Sequence, residues 1–83
     1  MKTCDIKAGQ KYIRIDPITK TQTIYLGIVK EAYNPDRIVN RDLIIISSEF
    51  PHLVGQTVRK FGDKYGRREF WNELQEYNKD VTI

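Results

Sequence analysis

The sequence predicts an α+β domain: a small, strongly curved antiparallel sheet of three to four strands, packed by one C-terminal helix. Three observations carry this. Two segments of alternating β-branched and aromatic residues flank an Asp-Pro turn. A short aliphatic run, Leu43 to Ile46, follows them. Near the C-terminus the apolar spacing then changes from two residues to that of a helix. With 83 residues the chain has room for one domain, 1–83. Its eleven isoleucines and nine aromatics supply the bulky core that so small a domain needs.

Residues 1–8 read as a loose lead-in. From Gln10 to Asp16, Ile13 and Ile15 fall on one face of a strand and Tyr12 and Arg14 on the other. Asp16-Pro17-Ile18-Thr19-Lys20 is a turn, because proline fixes an early turn φ and Asp16 can accept a backbone amide two residues on. Thr21 to Glu31 is the clearest strand, apolar on both faces and therefore central, with Gly27 suggesting a bulge or bend. Together the two strands make a hairpin. Asn34-Pro35-Asp36-Arg37 is a second turn. Ile38-Val39 reads as a brief strand end, and Leu43 to Ile46 as a buried strand broken by Ser47-Ser48.

Two readings are open for residues 49–61. Phe50, Leu53, Val54, Thr57, Val58 and Phe61 have helix spacing, which makes a second helix. Gly55 and the β-branched pair Thr57-Val58 argue instead for a turn over Pro51–Gly55 and a strand over Gln56–Phe61. The strand is favoured, since it gives the third strand an antiparallel neighbour. Gly62 to Gly66 is a loop. Residues 67–79 form the C-terminal helix, with Phe70, Leu74 and Tyr77 inward and Trp71 anchoring it to the sheet. The strand–turn–strand pattern resembles that of small SH3-like barrels, which implies a half-barrel as the form of the curved sheet. That likeness is one of pattern, with no signature residues behind it.

Function classes narrow from the same residues. The longest apolar run is too short to span a bilayer, and no apolar segment follows Lys2, so the expectation is a cytoplasmic protein without a secretory signal. Cys4 is the only cysteine and His52 the only histidine. They lie far apart in sequence, so neither an internal disulfide, a metal site nor a Cys–His pair is expected. Ser47 and Ser48 have no triad partners nearby. Asp36 with Asp42, or Glu73 with Glu76, are carboxylate pairs whose default is a solvated surface. Gly62 to Gly66 lacks the Gly-Lys-Ser/Thr ending of a phosphate loop. The chain is expected to be no enzyme and to carry no cofactor.

The charge distribution is more informative than the net +3. Residues 59–71 hold five basic side chains against two acidic ones. Arg59, Lys60, Lys64, Tyr65, Arg67 and Arg68 are the candidate partner-binding residues: cations neutralise phosphates or carboxylates, and an exposed ring can stack on a base. A charged loop is by default merely solvated, and Phe61, Phe70 and Trp71 are assigned to the core. In favour of function, Arg67 and Arg68 would sit in the first helical turn, where the helix dipole disfavours them unless an anion faces them.

The expected function is therefore binding without catalysis. The partner is an acidic surface of a host protein or nucleoprotein complex, and the chain an inhibitor or accessory of the kind phages and mobile elements direct at host machinery. The alternatives are a small DNA- or RNA-binding domain, a homo-oligomer or assembly subunit joined through an open sheet edge, and a small-ligand pocket lined by Tyr12, Tyr25 and Trp71. No membrane association is expected.

Overall fold

The computed structural model describes residues 2–28, 38–63 and 65–78. A 3₁₀ turn at Thr3–Asp5 precedes β1 (Lys11–Ile15), β2 (Gln22–Ile28) and β3 (Ile38–Ser48). A second 3₁₀ turn, Pro51–Leu53, leads to β4 (Thr57–Asp63). A five-residue helix, α1 (Glu69–Glu73), then runs straight into β5 (Leu74–Glu76). Every pairing is antiparallel. The order β4-β3-β2-β1-β5 means that four strands meander and the fifth returns to the outer edge of the first. The product is a small domain built on a curled half-barrel sheet with little helix.

The β1–β2 hairpin forms around Asp16 as expected. Its carboxylate accepts the backbone N–H groups of Ile18 at 2.8 Å and Thr19 at 3.0 Å, an Asx-type turn. Lys20 closes the turn at φ 63° and donates its own N–H to the Asp16 carbonyl at 2.9 Å. Tyr12 stands opposite Tyr25, and Ile13 opposite Ile24. The tyrosine face is the one turned to the core: both rings are buried, while Ile15 is exposed. Gly27 is a point of close approach, since a Cβ there would lie 2.5 Å from the Lys7 carbonyl oxygen and 3.0 Å from the Tyr12 ring. The bulge lies elsewhere, at Ile46, between the pairs Ile24–Ser47 and Tyr25–Ile45.

The core joins Ile6, Tyr12, Tyr25, Leu43, Ile45, Trp71 and Leu74, with Leu53, Val58 and Phe70 packed against it. Several expectations are thereby corrected. The helix expected over 67–79 is confined to Glu69–Glu73, and Leu74 leaves it at φ −80°, ψ 132°. The next residues pair with β1, as Leu74–Arg14, Gln75–Ile13 and Glu76–Tyr12. Without them β1 would expose a row of backbone N–H and C=O groups, and pairing these outweighs two more turns of a helix without a side-chain cap. Among the described residues the strands number five, not three or four. Residues 2–8 are no loose lead-in, because Thr3 and Ile6 are buried and the Tyr12 hydroxyl accepts the Lys7 N–H at 2.9 Å. Ser47-Ser48 does not break β3; both serines pair with β2. In 49–61 the turn-plus-strand reading holds, with Gly55 at φ 91° where the turn needs it. The turn expected at Asn34 to Arg37 and the end of the second strand at 29–31 lie outside the described residues.

Candidate functional site

The basic stretch begins on β4, where strand periodicity sends successive side chains to opposite faces. Val58, Lys60 and Gly62 face inward. Val58 packs on the core, Gly62 is buried against Trp71, and the Lys60 ammonium sits 4.8 Å over the Phe70 ring. Thr57, Arg59, Phe61 and Asp63 face outward. Arg59 donates from Nε to Asp42 Oδ1 at 2.9 Å, and Asp42 stands directly opposite it on β3. The carboxylate is nearly buried, whereas the arginine side chain is 52% exposed. Phe61 is 43% exposed. Its assignment to the core is therefore corrected, and it joins the outer face.

The loop after β4 is tied by one side chain. Asp63 Oδ1 accepts the N–H groups of Tyr65 at 3.0 Å and Arg67 at 3.1 Å. Its Oδ2 lies 3.4 Å from Arg67 Nε. Gly66 turns the chain at φ 70°. Arg67, 78% exposed, holds its guanidinium 5.7 Å over the ring of Tyr65, which is 55% exposed. Arg68 Nη1 donates to the Phe61 carbonyl at 2.8 Å, and Trp71 Nε1 donates to the same oxygen at 3.2 Å. Trp71 is fully buried, so the indole fixes the edge of β4 from within.

The candidate set is thus divided. Arg59 and Phe61 on the outer face of β4, with Tyr65, Arg67 and Arg68 in the chain just after it, make an exposed strip along the sequence. Lys60 belongs to the inner face, and Lys64 lies outside the described residues. The dipole argument also falls. Arg68 is extended at φ −76°, ψ 144° and precedes the helix, and the first helical residue is Glu69. No positive charge strains the first turn. Sequence reasoning missed Phe61, Asp42 and Asp63. Phe61 and Asp63 were open to it, by strict alternation from Arg59 and by the Asp-x-Tyr-Gly turn; the register that brings Asp42 opposite Arg59 was not.

Behind the strip, Phe70 lies between two cations, Lys60 and the Arg14 guanidinium at 5.4 Å. It meets Tyr25 and Trp71 edge-on at 5.7 and 5.1 Å. Arg14 Nη2 pairs with Glu73 Oε2 at 3.2 Å, so Glu73 and Asp42 both serve ion pairs. Burial lowers the Arg41 pKa from its ordinary value. Tyr12, Tyr25 and Trp71 are packed together in the core. A cavity of about 190 Å³ opens beside Ile13, Ile15, Glu73 and Gln75, below the ~300 Å³ at which small-molecule sites usually begin. Among the described residues no three His, Cys, Asp or Glu side chains gather as metal ligands, and no helix is long and apolar enough to cross a membrane. No family model matches the chain, and no curated protein or solved structure is significantly similar to it.

Proposed function

We propose that this domain acts by binding, without catalysis, and meets an anionic partner through the outer strip of Arg59, Phe61, Tyr65, Arg67 and Arg68. One observation carries the reading: three exposed guanidinium groups on β4 and the chain after it are each held by a contact within the domain, and the exposed rings of Phe61 and Tyr65 accompany them. Asp42 holds Arg59, Asp63 holds Arg67, and the Phe61 carbonyl holds Arg68. Side chains already held in place lose less entropy on binding than long flexible ones. The size and composition of the chain fit an accessory or inhibitor directed at host machinery, whose acidic protein or nucleoprotein surface would be the partner. The strand order supports reading the sheet as an SH3-like half-barrel, a fold whose function lies in its surface residues.

Chromatography on an immobilised sulfated polysaccharide tests the anionic reading. The protein should be retained at low salt, and Arg67→Gln should elute at clearly lower salt while folding normally. Flow-through at low salt, or elution of the variant with the wild type, would refute it. Retention on an uncharged matrix sets the background.

A further inference from the structure

We propose that the anionic partner of this strip is a single-stranded nucleic acid, with bases stacked on Phe61 and Tyr65 and phosphates met by Arg59, Arg67 and Arg68. The proposal rests on the anionic reading above and adds the class of partner.

Charge alone does not account for the strip. Its three arginines are offset by Asp42 and Asp63, each in ion-pair contact with one of them. A partner that offers charge alone therefore gains less from this surface than one that also engages the rings. The two rings are what distinguish it. Phe61 is 43% and Tyr65 55% exposed, beside Arg68 and under Arg67 respectively. Flat rings among cations suit a ligand that alternates flat bases with phosphates. The spacing agrees: Arg59 and Phe61 are two residues apart on one strand face, about 6.6–6.8 Å. On β4 one cation is thus followed by one ring, and Arg67 over Tyr65 supplies a second cation–ring pair in the chain after Asp63.

The same geometry disfavours a duplex. Groove reading takes an α-helix or a two-stranded ribbon that can enter the groove. Here the helix α1 has five residues, and the strip lies on the side of a sheet. A ring stacks freely on an unpaired base, whereas on a duplex it must first unstack a base step.

The test is fluorescence anisotropy of a labelled oligothymidylate and a labelled oligouridylate. A duplex of equal length and an oligoglutamate peptide are the comparisons, and the intrinsic Trp71 emission confirms that each variant is folded. Both single strands should bind more tightly than the duplex and the peptide. Three phosphate contacts predict a slope of about −2 for log affinity against log salt. Phe61→Leu and Tyr65→Leu should each weaken binding about tenfold, within the range measured for one stacked base. Tyr65→Phe should bind like the wild type, and Arg67→Gln should make the slope shallower by about 0.7. If the leucine variants bind as the wild type does, or if the peptide or duplex binds as tightly as the single strands, this inference is overturned and the anionic reading stands. If none of the four polyanions binds at low salt, both fall.

Discussion

Gly62→Ala should expel the indole of Trp71 from its seat. A Cβ built at Gly62 falls onto Trp71 Nε1, 2.6 Å from its Cδ1 and 3.0 Å from Thr3 Oγ1. The ring has nowhere to go: it is fully buried, Phe70 stands edge-on at 5.1 Å, and its N–H is committed to the Phe61 carbonyl. Overpacking of this kind costs about 1–3 kcal/mol. Breaking the indole hydrogen bond inside the core costs a further ~1–3 kcal/mol. The two overlap, so about 2–4 kcal/mol is expected, against a total of about 4–12 kcal/mol for a domain of this length. Urea unfolding followed by the emission of Trp71, the only tryptophan, measures the loss directly. A lowered midpoint with an unchanged slope is the expected form. The cause is isolated by a cycle with Trp71→Phe, all four proteins being followed by circular dichroism: the double variant should be at least about 1 kcal/mol more stable than the two single losses add up to. A loss under about 0.5 kcal/mol with native Trp71 emission would show that the indole does not pin β4 as argued.

Four further outcomes follow from particular contacts. Lys20→Gly should raise stability by about 0.5–1 kcal/mol in urea unfolding, because Lys20 sits at φ 63° where a side chain is strained. Hydrogen bonds from the Thr19 and Ile18 backbone hold the Asp16 carboxyl below its ordinary pKa. Its contribution is therefore present above the unfolded value near 3.9 and lost as pH falls through the folded one. The stability gap between wild type and Asp16→Ala, measured across pH, should be flat at neutrality and close in acid. Burial raises the phenol pKa of Tyr12 and of Tyr25, so the stability linked to them is whole below pH ~10 and drains as pH rises through the folded values. Ultraviolet titration should show these two phenols ionising above the ordinary phenol range, together with alkaline unfolding. Arg59→Met removes a half-exposed guanidinium from a nearly buried carboxylate, and should cost about 1–2 kcal/mol in urea unfolding.

The hairpin was legible because its signals are local. Asp16-Pro17 specifies its own turn, and β2 is dense in β-branched residues. The C-terminal segment was not, because Phe70, Leu74 and Tyr77 satisfy a helical spacing that two other pieces satisfy equally well. One short helix seats Phe70 and Trp71, and a strand then places Leu74 in the core. What decides between them is the bare edge of β1, and a linear sequence does not display which backbone is left unpaired. Ile6 and Thr3 were missed for a related reason. A lone apolar residue in a polar stretch has no periodicity, and its burial depends on a sheet formed by later residues.

The candidate site was legible as composition and not as geometry. Five cations in thirteen residues stand out in any reading of the chain, yet a strand sorts neighbours to opposite sides. Arg59 and Lys60 are adjacent in sequence, and one meets solvent beside Asp42 while the other covers Phe70. The strand favoured over Gln56–Phe61 already implies that division, and the core assignment of Phe61 overlooked it. The division also bears on how a partner approaches. β4 is an edge strand, and an edge invites another strand to pair with it. At Phe61, however, the outward carbonyl is already taken by Arg68 and Trp71. A strand added along this edge would have to displace a buried indole hydrogen bond at that point. A ligand laid across the outer side chains leaves that buried hydrogen bond intact. The occupied carbonyl at Phe61 therefore opposes extension of the sheet at that point, and Arg68 both protects the edge and borders the strip proposed to meet a partner.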